Sequence, residues 1–278
     1  MKEETIKYKT PLTYYGGKQQ LLKTILPLIP THRIYCEPFF GGGAVFFAKR
    51  PSYLEVINDI NDNLVNFYRE CQEHFDALCY LVRHTLHSES TYNWARSVFS
   101  GSVEVGPLQK AYATWIVFNL SFNANPMGGW RWDNGTDNSH SGIVLYHFRK
   151  YFCPWIEKRL EKVQISCRDA LRVIRNRDTP GSFFYLDPPY PNANQAHYSG
   201  YTEDDLQKLL DLLSVINGQF LLSCYDLDII NDYAQKKNWR LLKFDMNSCI
   251  KNHNRHGRKT EILLMNYEKK DIIQTTLF

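Results

Sequence analysis

Arg33-Ile-Tyr-Cys-Glu-Pro-Phe-Phe-Gly-Gly-Gly-Ala-Val-Phe46 reads as a strand, a glycine turn and the start of a helix. Three consecutive glycines let the backbone approach a ligand closely and accept positive φ. The next apolar run, Leu54–Asn58, ends at Asp59, where a carboxylate can bind both hydroxyls of a ribose. The pattern is that of a nucleoside-cofactor site. A dinucleotide site needs a third glycine between helix and strand, and the slot after Gly41 and Gly43 holds Phe46. With no Walker A pattern either, a nucleoside without phosphates fits better than a pyrophosphate. A tight strand–helix turn without any ligand is the structural alternative.

Working outward, short apolar runs alternate with helical patterns. The strands expected are Arg33–Glu37, Leu54–Asn58, Val163–Cys167, Ser182–Leu186, Gln219–Tyr225, Arg240–Met246 and Glu261–Asn266. Helices are expected over Gln19–Leu28, Gly43–Lys49, Ala170–Arg175, Glu203–Ile216 and Asp228–Lys236. Such alternation implies a parallel sheet with helices on both faces. The rhythm breaks between about Asn63 and Lys162, where no convincing strand occurs. Asn63–Thr85, Leu108–Leu120 and Tyr146–Leu160 have helical spacing, and Ser121–Ser141 is rich in Asn, Gly and aromatics. The interval reads as a helical insertion carrying a long loop, and loops of that length are usually functional or disordered. Trp130 and Trp132 argue against disorder.

The chain has 278 residues, 44% of them hydrophobic, enough for a sizeable core. Its net charge of +4 is compatible with a nucleic-acid partner but too small to argue for one. Seven scattered cysteines without a C-x-x-C pair do not form a disulfide framework, which points to a reducing compartment. The polar start, Met1 to Thr10, carries no secretory pattern, and no apolar run approaches the roughly 18 residues a membrane span needs. The location expected is cytoplasmic.

Asp187-Pro-Pro-Tyr190 follows the apolar run Ser182–Leu186 and should sit at the carboxyl edge of the sheet, where open α/β sheets bind ligands. The two prolines remove backbone donors and fix the chain. What remains is an acceptor pair, the Asp187 carboxylate and the Pro188 carbonyl, matched to the two hydrogens of an exocyclic amino group. Holding both draws the nitrogen lone pair out of the ring plane, ready to attack a methyl sulfonium. Tyr190 offers a face for a base, and base–aromatic stacking is worth roughly 1–3 kcal/mol. A rigid turn after a strand is the bland alternative.

Five segments occur in one order: Tyr14-Tyr-Gly-Gly-Lys18, Glu37-Pro-Phe-Phe-Gly-Gly-Gly43, Asn58-Asp-Ile-Asn61, Asp187-Pro-Pro-Tyr190 and Lys259-Thr-Glu-Ile-Leu-Leu264. With them the chain resembles the DNA adenine methylase (Dam) family. The resemblance touches both ends of the chain and skips the middle. It implies an α/β fold: a Rossmann-like methyltransferase sheet of about seven strands with an inserted helical target-recognition domain. Residues 1–62 and 163–278 would form the catalytic domain and residues 63–162 the insertion. It implies S-adenosylmethionine as cofactor, adenine N6 of double-stranded DNA as target, and extrusion of the base from the duplex, which costs a few kcal/mol.

Residue by residue, the resemblance implies that Tyr15 and Lys18 close over the cofactor's methionine end. Glu37, Pro38 and Phe39 belong to the glycine-loop segment, with Glu37 near the cofactor's amino acid. Asp59 is the ribose-binding acid. Asp169 corresponds to the acid that reads the cofactor's adenine, followed here by Ala170 where the family often has a bulky aromatic. Asp187, Pro188, Pro189 and Tyr190 are the catalytic tetrapeptide, and Tyr198, Ser199 and Tyr201 fall in the loop that helps enclose the flipped base. No metal and no covalent enzyme intermediate are expected.

Relatives that read GATC carry a longer recognition pattern than Phe122-Asn-Ala-Asn-Pro-Met-Gly-Gly-Trp130. The framework Phe122 and Asn123 is present and the rest is not, so GATC specificity is not transferred. Arg131 either contacts guanine bidentately or faces phosphate and solvent. Trp130 and Trp132 are read as loop anchors rather than wedges. Lys251-Asn-His-Asn-Arg-His-Gly-Arg-Lys259 is a basic loop in which Arg258 and Lys259 are expected to touch phosphate. A restriction endonuclease counterpart is left open. The rival readings are an RNA or other amino-group methyltransferase, and a catalytically inactive DNA-binding relative.

Overall fold

Alternation of side chains along each strand builds two apolar layers, one on each face of a single sheet. The computed structural model describes residues 9–14, 16–122, 125–126, 128–134, 140–191, 200–246 and 259–268. Its strands are β1 (Ile34–Glu37), β2 (Leu54–Asn58), β3 (Val163–Ser166), β4 (Ser182–Leu186), β5 (Gln219–Tyr225), β6 (Arg240–Met246) and β7 (Lys259–Met265). They lie in the order β3-β2-β1-β4-β5-β7-β6. Tyr35, Phe183, Tyr185, Leu221 and Leu263 point into one layer. Their neighbours Cys36, Phe184, Leu186, Leu222 and Leu264 point into the other.

The seven-stranded Rossmann-like sheet agrees with the sequence reading, but it is not all parallel. β7 is antiparallel to both β5 and β6, with Glu261 opposite Tyr225. The polar stretch between β6 and β7 carries no helical pattern, and parallel neighbours need a long crossover, usually a helix. β7 therefore comes back between β5 and β6.

Helices α9 (Ala170–Arg177), α10 (Glu203–Leu213) and α11 (Asp228–Lys237) cover the second layer through Val173, Ile174, Leu206, Leu209, Leu210 and Ile230. The first layer is covered by the N-terminal segment with α1 (Leu22–Ile25), by α2 (Ala44–Ala48) and by six helices between β2 and β3. These six are α3 (Asp62–Glu73), α4 (Phe75–Arg83), α5 (Glu89–Phe99), α6 (Pro107–Leu120), α7 (Ser141–Tyr151) and α8 (Trp155–Leu160).

Three sequence expectations change here. The helix expected over 63–85 breaks at His74, whose backbone leaves the helical region (φ −133°, ψ 38°). The one expected over 146–160 breaks before Pro154, since proline disfavours helical backbone in the residue preceding it. Helix α5 was not expected at all. It starts at a Ser88 N-cap and buries only Tyr92, Ala95 and Val98.

Helix α6 is the axis of the insertion, buried on all sides from Ala113 to Leu120. Asn119 at its end ties the insertion to the N-terminal segment. It accepts from the Thr13 N–H (3.0 Å) and hydroxyl (2.9 Å) and donates to the Pro11 carbonyl (3.2 Å). Arg159 of α8 ties it to β2 by pairing with the buried Glu55, which also holds Lys49. No helix among the described residues is long and apolar enough to cross a membrane.

Candidate active site

From β1 the chain winds outward to β2 and β3, then returns to place β4 on the other side of β1. A ligand crevice forms where the winding direction reverses, outside the carboxyl ends of the strands. Glu37 ends β1 and Asp187 follows β4, so both stand at that crevice. A cleft of about 770 Å³ opens there, within the span of roughly 300–1,000 Å³ usual for ligand sites. Lys18, Glu37, Phe39, Asp59, Asp169 and Asp187 all line it. The sheet brings Glu37, Asp59 and Asp187 together, while Lys18 comes from the N-terminal segment and Asp169 from the start of α9.

The glycine turn has a reason the sequence did not reveal. Gly41 (φ +48°) and Gly43 (φ +65°) do adopt left-handed backbone. A Cβ on Gly43 would come within 2.4 Å of the Phe40 ring, and one on Gly42 within 2.7 Å of the Tyr14 side chain. The glycines make room for the protein's own aromatics as well as for a ligand. Asp59 holds the turn by accepting from the Gly41 N–H at 2.8 Å and the Asn61 N–H at 2.9 Å. Beside it Asn58 knots three strand ends together. Its amide donates to the Pro38 and Arg168 carbonyls, both at 2.9 Å, and its oxygen accepts from Ser166 (2.7 Å) and the Arg168 N–H (3.0 Å). Asp169 caps α9 through the Arg172 N–H at 2.9 Å and stays exposed.

Glu37 is buried and accepts from the Tyr35 hydroxyl at 2.8 Å. Burial pushes its carboxyl up to about 8, against the lowering effect of that hydrogen bond. The hydroxyls of Tyr185 and Tyr201, two other residues of the cleft wall, are buried without a hydrogen-bond partner among the described residues. A buried carboxyl with one partner and two unsatisfied hydroxyls fit a polar ligand that brings its own donors and acceptors.

At the Asp-Pro-Pro-Tyr segment, Lys18 reaches Asp187 Oδ1 at 2.8 Å and Glu261 Oε1 at 3.3 Å. It also donates to the Gly16 carbonyl at 3.0 Å. Those three partners account for the three N–H donors of an ammonium. The Tyr190 hydroxyl bonds Glu261 Oε1 at 2.8 Å and stands 3.3 Å from Asp187 Oδ1 and 3.4 Å from Ser223 Oγ. Asp187 Oδ1 is thereby held, while Oδ2 and the Pro188 carbonyl receive no donor from the described residues. Burial, with the nearby Glu261 charge adding to it, raises the Asp187 carboxyl above the usual aspartate value despite Lys18. Burial opposes the Lys18 charge, yet the Asp187 and Glu261 carboxylates outweigh it and raise the ammonium above its ordinary value.

Tyr190 keeps only 7% of its surface. Tyr225 packs edge-on against its ring at 4.2 Å, and both line the cleft. Sequence reading quoted the segment Lys259–Leu264 but gave Glu261 no role, and it did not single out Ser223. The available signal was a charged residue inside the otherwise apolar run Glu261-Ile-Leu-Leu-Met265.

Between β2 and β3, Ser121 and Trp130 form an antiparallel bridge, and the Phe122 N–H donates to the Gly129 carbonyl at 2.9 Å. Trp130 is an anchor, half-buried against His87 at 4.9 Å. Trp132 is not, being 65% exposed, so the expectation that it anchors the loop is corrected. It lies past the Ser121–Trp130 bridge. Phe122 is also exposed, and Arg131 is half-buried with its N–H on the Leu120 carbonyl at 2.8 Å. Tyr15, Asn123, Tyr198, Ser199 and Arg258 lie outside the described residues, as does the side chain of Lys259; its backbone starts β7 opposite Met246.

Sheet order, glycine turn and amino-group acceptor pair define a Rossmann-like methyltransferase. The chain belongs to the D12 class N6 adenine-specific DNA methyltransferase family, whose model matches residues 14–242. It is similar to the type II methyltransferase M1.LlaDCHI of Lactococcus lactis subsp. cremoris, 25% identical over 91% of this chain and 93% of that protein. It is 27% identical to the DNA N-6-adenine-methyltransferase of Escherichia phage P1 over 69% of this chain, but spans only 25% of that protein. It is 27% identical to the DNA adenine methylase of Vibrio cholerae over 74% of this chain and 76% of that protein. The protein is an adenine-N6 DNA methyltransferase.

Proposed function

We propose that the protein methylates adenine N6 at a specific site in double-stranded DNA, with S-adenosylmethionine as donor and the target base turned out of the helix. The observation that carries this is the pair of open acceptors, Asp187 Oδ2 and the Pro188 carbonyl, in one cleft with the glycine turn. When bound, S-adenosylmethionine supplies an electrophilic methyl group on a sulfonium. Glu37 would take its ammonium, Asp59 its ribose hydroxyls and Asp169 its adenine, a reading supported by all three lining the one cleft. Phe39 and Tyr201, edge to face at 6.4 Å, are aromatic walls of the same cleft.

Asp187 and Pro188 accept the two N6 hydrogens, which turns the nitrogen lone pair towards the methyl carbon. Positioning and electrostatics do most of the remaining work. As N6 becomes positive, Asp187 stabilises the charge, and the surplus proton leaves after transfer. Tyr190, through the part of its ring facing the cleft, and Tyr225 offset the cost of extruding the base. Residues 63–162 serve as the recognition insertion, with Phe122, Asn123 and Arg131 towards DNA. Arg258 and Lys259 contact phosphate. The bacterial and phage relatives support an enzyme of bacterial or phage origin acting in the cytoplasm, and the type II name of one relative favours a restriction counterpart.

The test is transfer of a labelled methyl group to duplex DNA and to matched RNA, with the product base identified. N6-methyladenine in duplex DNA at a defined sequence is the expected result. Label in RNA alone overturns the substrate, and DNA binding without transfer overturns the catalytic assignment.

A further inference from the structure

Lys18 does not serve Asp187 alone. Its ammonium stands between two carboxylates, 2.8 Å from Asp187 and 3.3 Å from Glu261. The second carboxylate comes from β7, whose following residues Ile262, Leu263, Leu264 and Met265 are wholly buried. A charge placed in such a strand costs stability, and a buried ion pair is often no better than apolar residues of the same volume. Packing therefore does not explain Glu261. Its Oε1 gathers three donors: Lys18, the Tyr190 hydroxyl at 2.8 Å and the Ser223 hydroxyl at 3.1 Å. Two of those three belong to groups that also touch Asp187 Oδ1.

Consider the site without the second carboxylate. Lys18 and Asp187 would form a neutral pair in a low-dielectric pocket, and Asp187 would offer a developing cation little more than a dipole. With Glu261 sharing the lysine, two negative charges face one positive charge, and the cluster keeps a net charge of minus one beside the open Oδ2.

We propose that Glu261 is a positioning residue for methyl transfer: by sharing Lys18 it keeps the lysine from neutralising the Asp187 carboxylate that faces N6, and it locks the Lys18 ammonium and the Tyr190 hydroxyl in place. This rests on Asp187 being the N6 acceptor. Other titratable groups close to the cluster are Glu37 from β1, Tyr185 from β4 and Cys224 from β5. Glu37 adds to the negative field, while the Tyr185 and Cys224 protons are held tightly by burial.

The experiment compares E261Q, E261D and D187A with the intact enzyme on duplex DNA, by single-turnover transfer across pH and by cofactor binding. Gln keeps an acceptor for Tyr190 and Ser223 but removes the charge. In E261Q the rate should fall at least tenfold with cofactor affinity within threefold. The Glu261 charge raises the Asp187 carboxyl, so its loss should move the acid limb of the pH–rate profile to lower pH. E261D keeps the charge, so its acid limb should stay at the original position even if the rate drops. A slower E261Q with an unmoved acid limb would reduce Glu261 to a structural role and overturn the proposal, as would an unaltered rate. D187A that still transfers methyl groups overturns the reading of Asp187 itself, whatever E261Q does.

Discussion

The cleft at the carboxyl ends of β1 and β4 and the aromatic turn of the insertion, residues 121–134, are built on opposite terms. In the cleft the groups that shape the site are firmly partnered, while Asp187 Oδ2, the Pro188 carbonyl and the Tyr185 and Tyr201 hydroxyls have no partner among the described residues. Asn58 fills all four of its hydrogen-bonding positions, and Lys18 fills all three. The aromatic turn hangs on one bridge, a few backbone bonds and one half-buried indole, with Phe122 and Trp132 in solvent. Chemistry needs acceptors held to within a fraction of an ångström, whereas the DNA-facing role proposed for the aromatic turn needs reach. The densely bonded region announces itself in sequence motifs, and the sparsely bonded one does not.

Four substitutions or measurements can break that contrast. The largest effect is expected from Asp187→Ala, which removes one of the two N6 acceptors. Transfer should fall by roughly 10³-fold or more, the scale seen when a key electrostatic group is lost, while calorimetry shows cofactor affinity changed only a few-fold. Loss of both together would place residue 187 in cofactor binding instead. Next comes Asn58→Ala, which strands four hydrogen-bonding groups, on the buried Pro38, the half-buried Ser166 and the exposed Arg168. Unsatisfied buried polar groups cost about 1–3 kcal/mol each, so denaturant unfolding should show a loss of at least about 2 kcal/mol. A near-neutral result would mean that the strand ends hold without the knot.

The two tryptophans give a smaller and sharper comparison. Trp130→Ala should cost about 2 kcal/mol in the same unfolding assay, in line with losing a partly buried aromatic. Trp132→Ala should leave unfolding unchanged and weaken duplex binding several-fold. Equal destabilisation by both would show that the turn is a packed unit after all. The smallest effect is a proton. Burial pushes the Glu37 carboxyl up to about 8, and a cofactor ammonium beside it would favour the carboxylate. Binding near pH 7 should therefore release up to one proton and tighten as pH rises towards 8. Calorimetry in buffers of different ionisation enthalpy reads this directly, and Glu37→Gln should abolish it.

Much of the fold was legible because strands and helices write their periods locally. Six of the seven strands start and stop within a residue of the pattern-based reading, and β7 within two. The acidic ends of β1 and β2 and the Asp-Pro-Pro-Tyr turn were placed at the crevice by the same reading. Where the pattern was interrupted, the reading slipped. His74 splits one helix without a proline or glycine to mark it, and α5 buries too few apolar residues to stand out.

The sequence by itself determined the alternation that makes the sheet, the glycine turn, and the residue types that suit an amino group and a sulfonium donor. These are properties of short windows, set by backbone geometry and side-chain chemistry. Only the tertiary structure decided that β7 runs against its neighbours, that Gly42 and Gly43 clear space for Tyr14 and Phe40, and that Lys18 is held between Asp187 and Glu261. The last of these joins residues from opposite ends of the chain. Burial strengthens such contacts, and no local period records them.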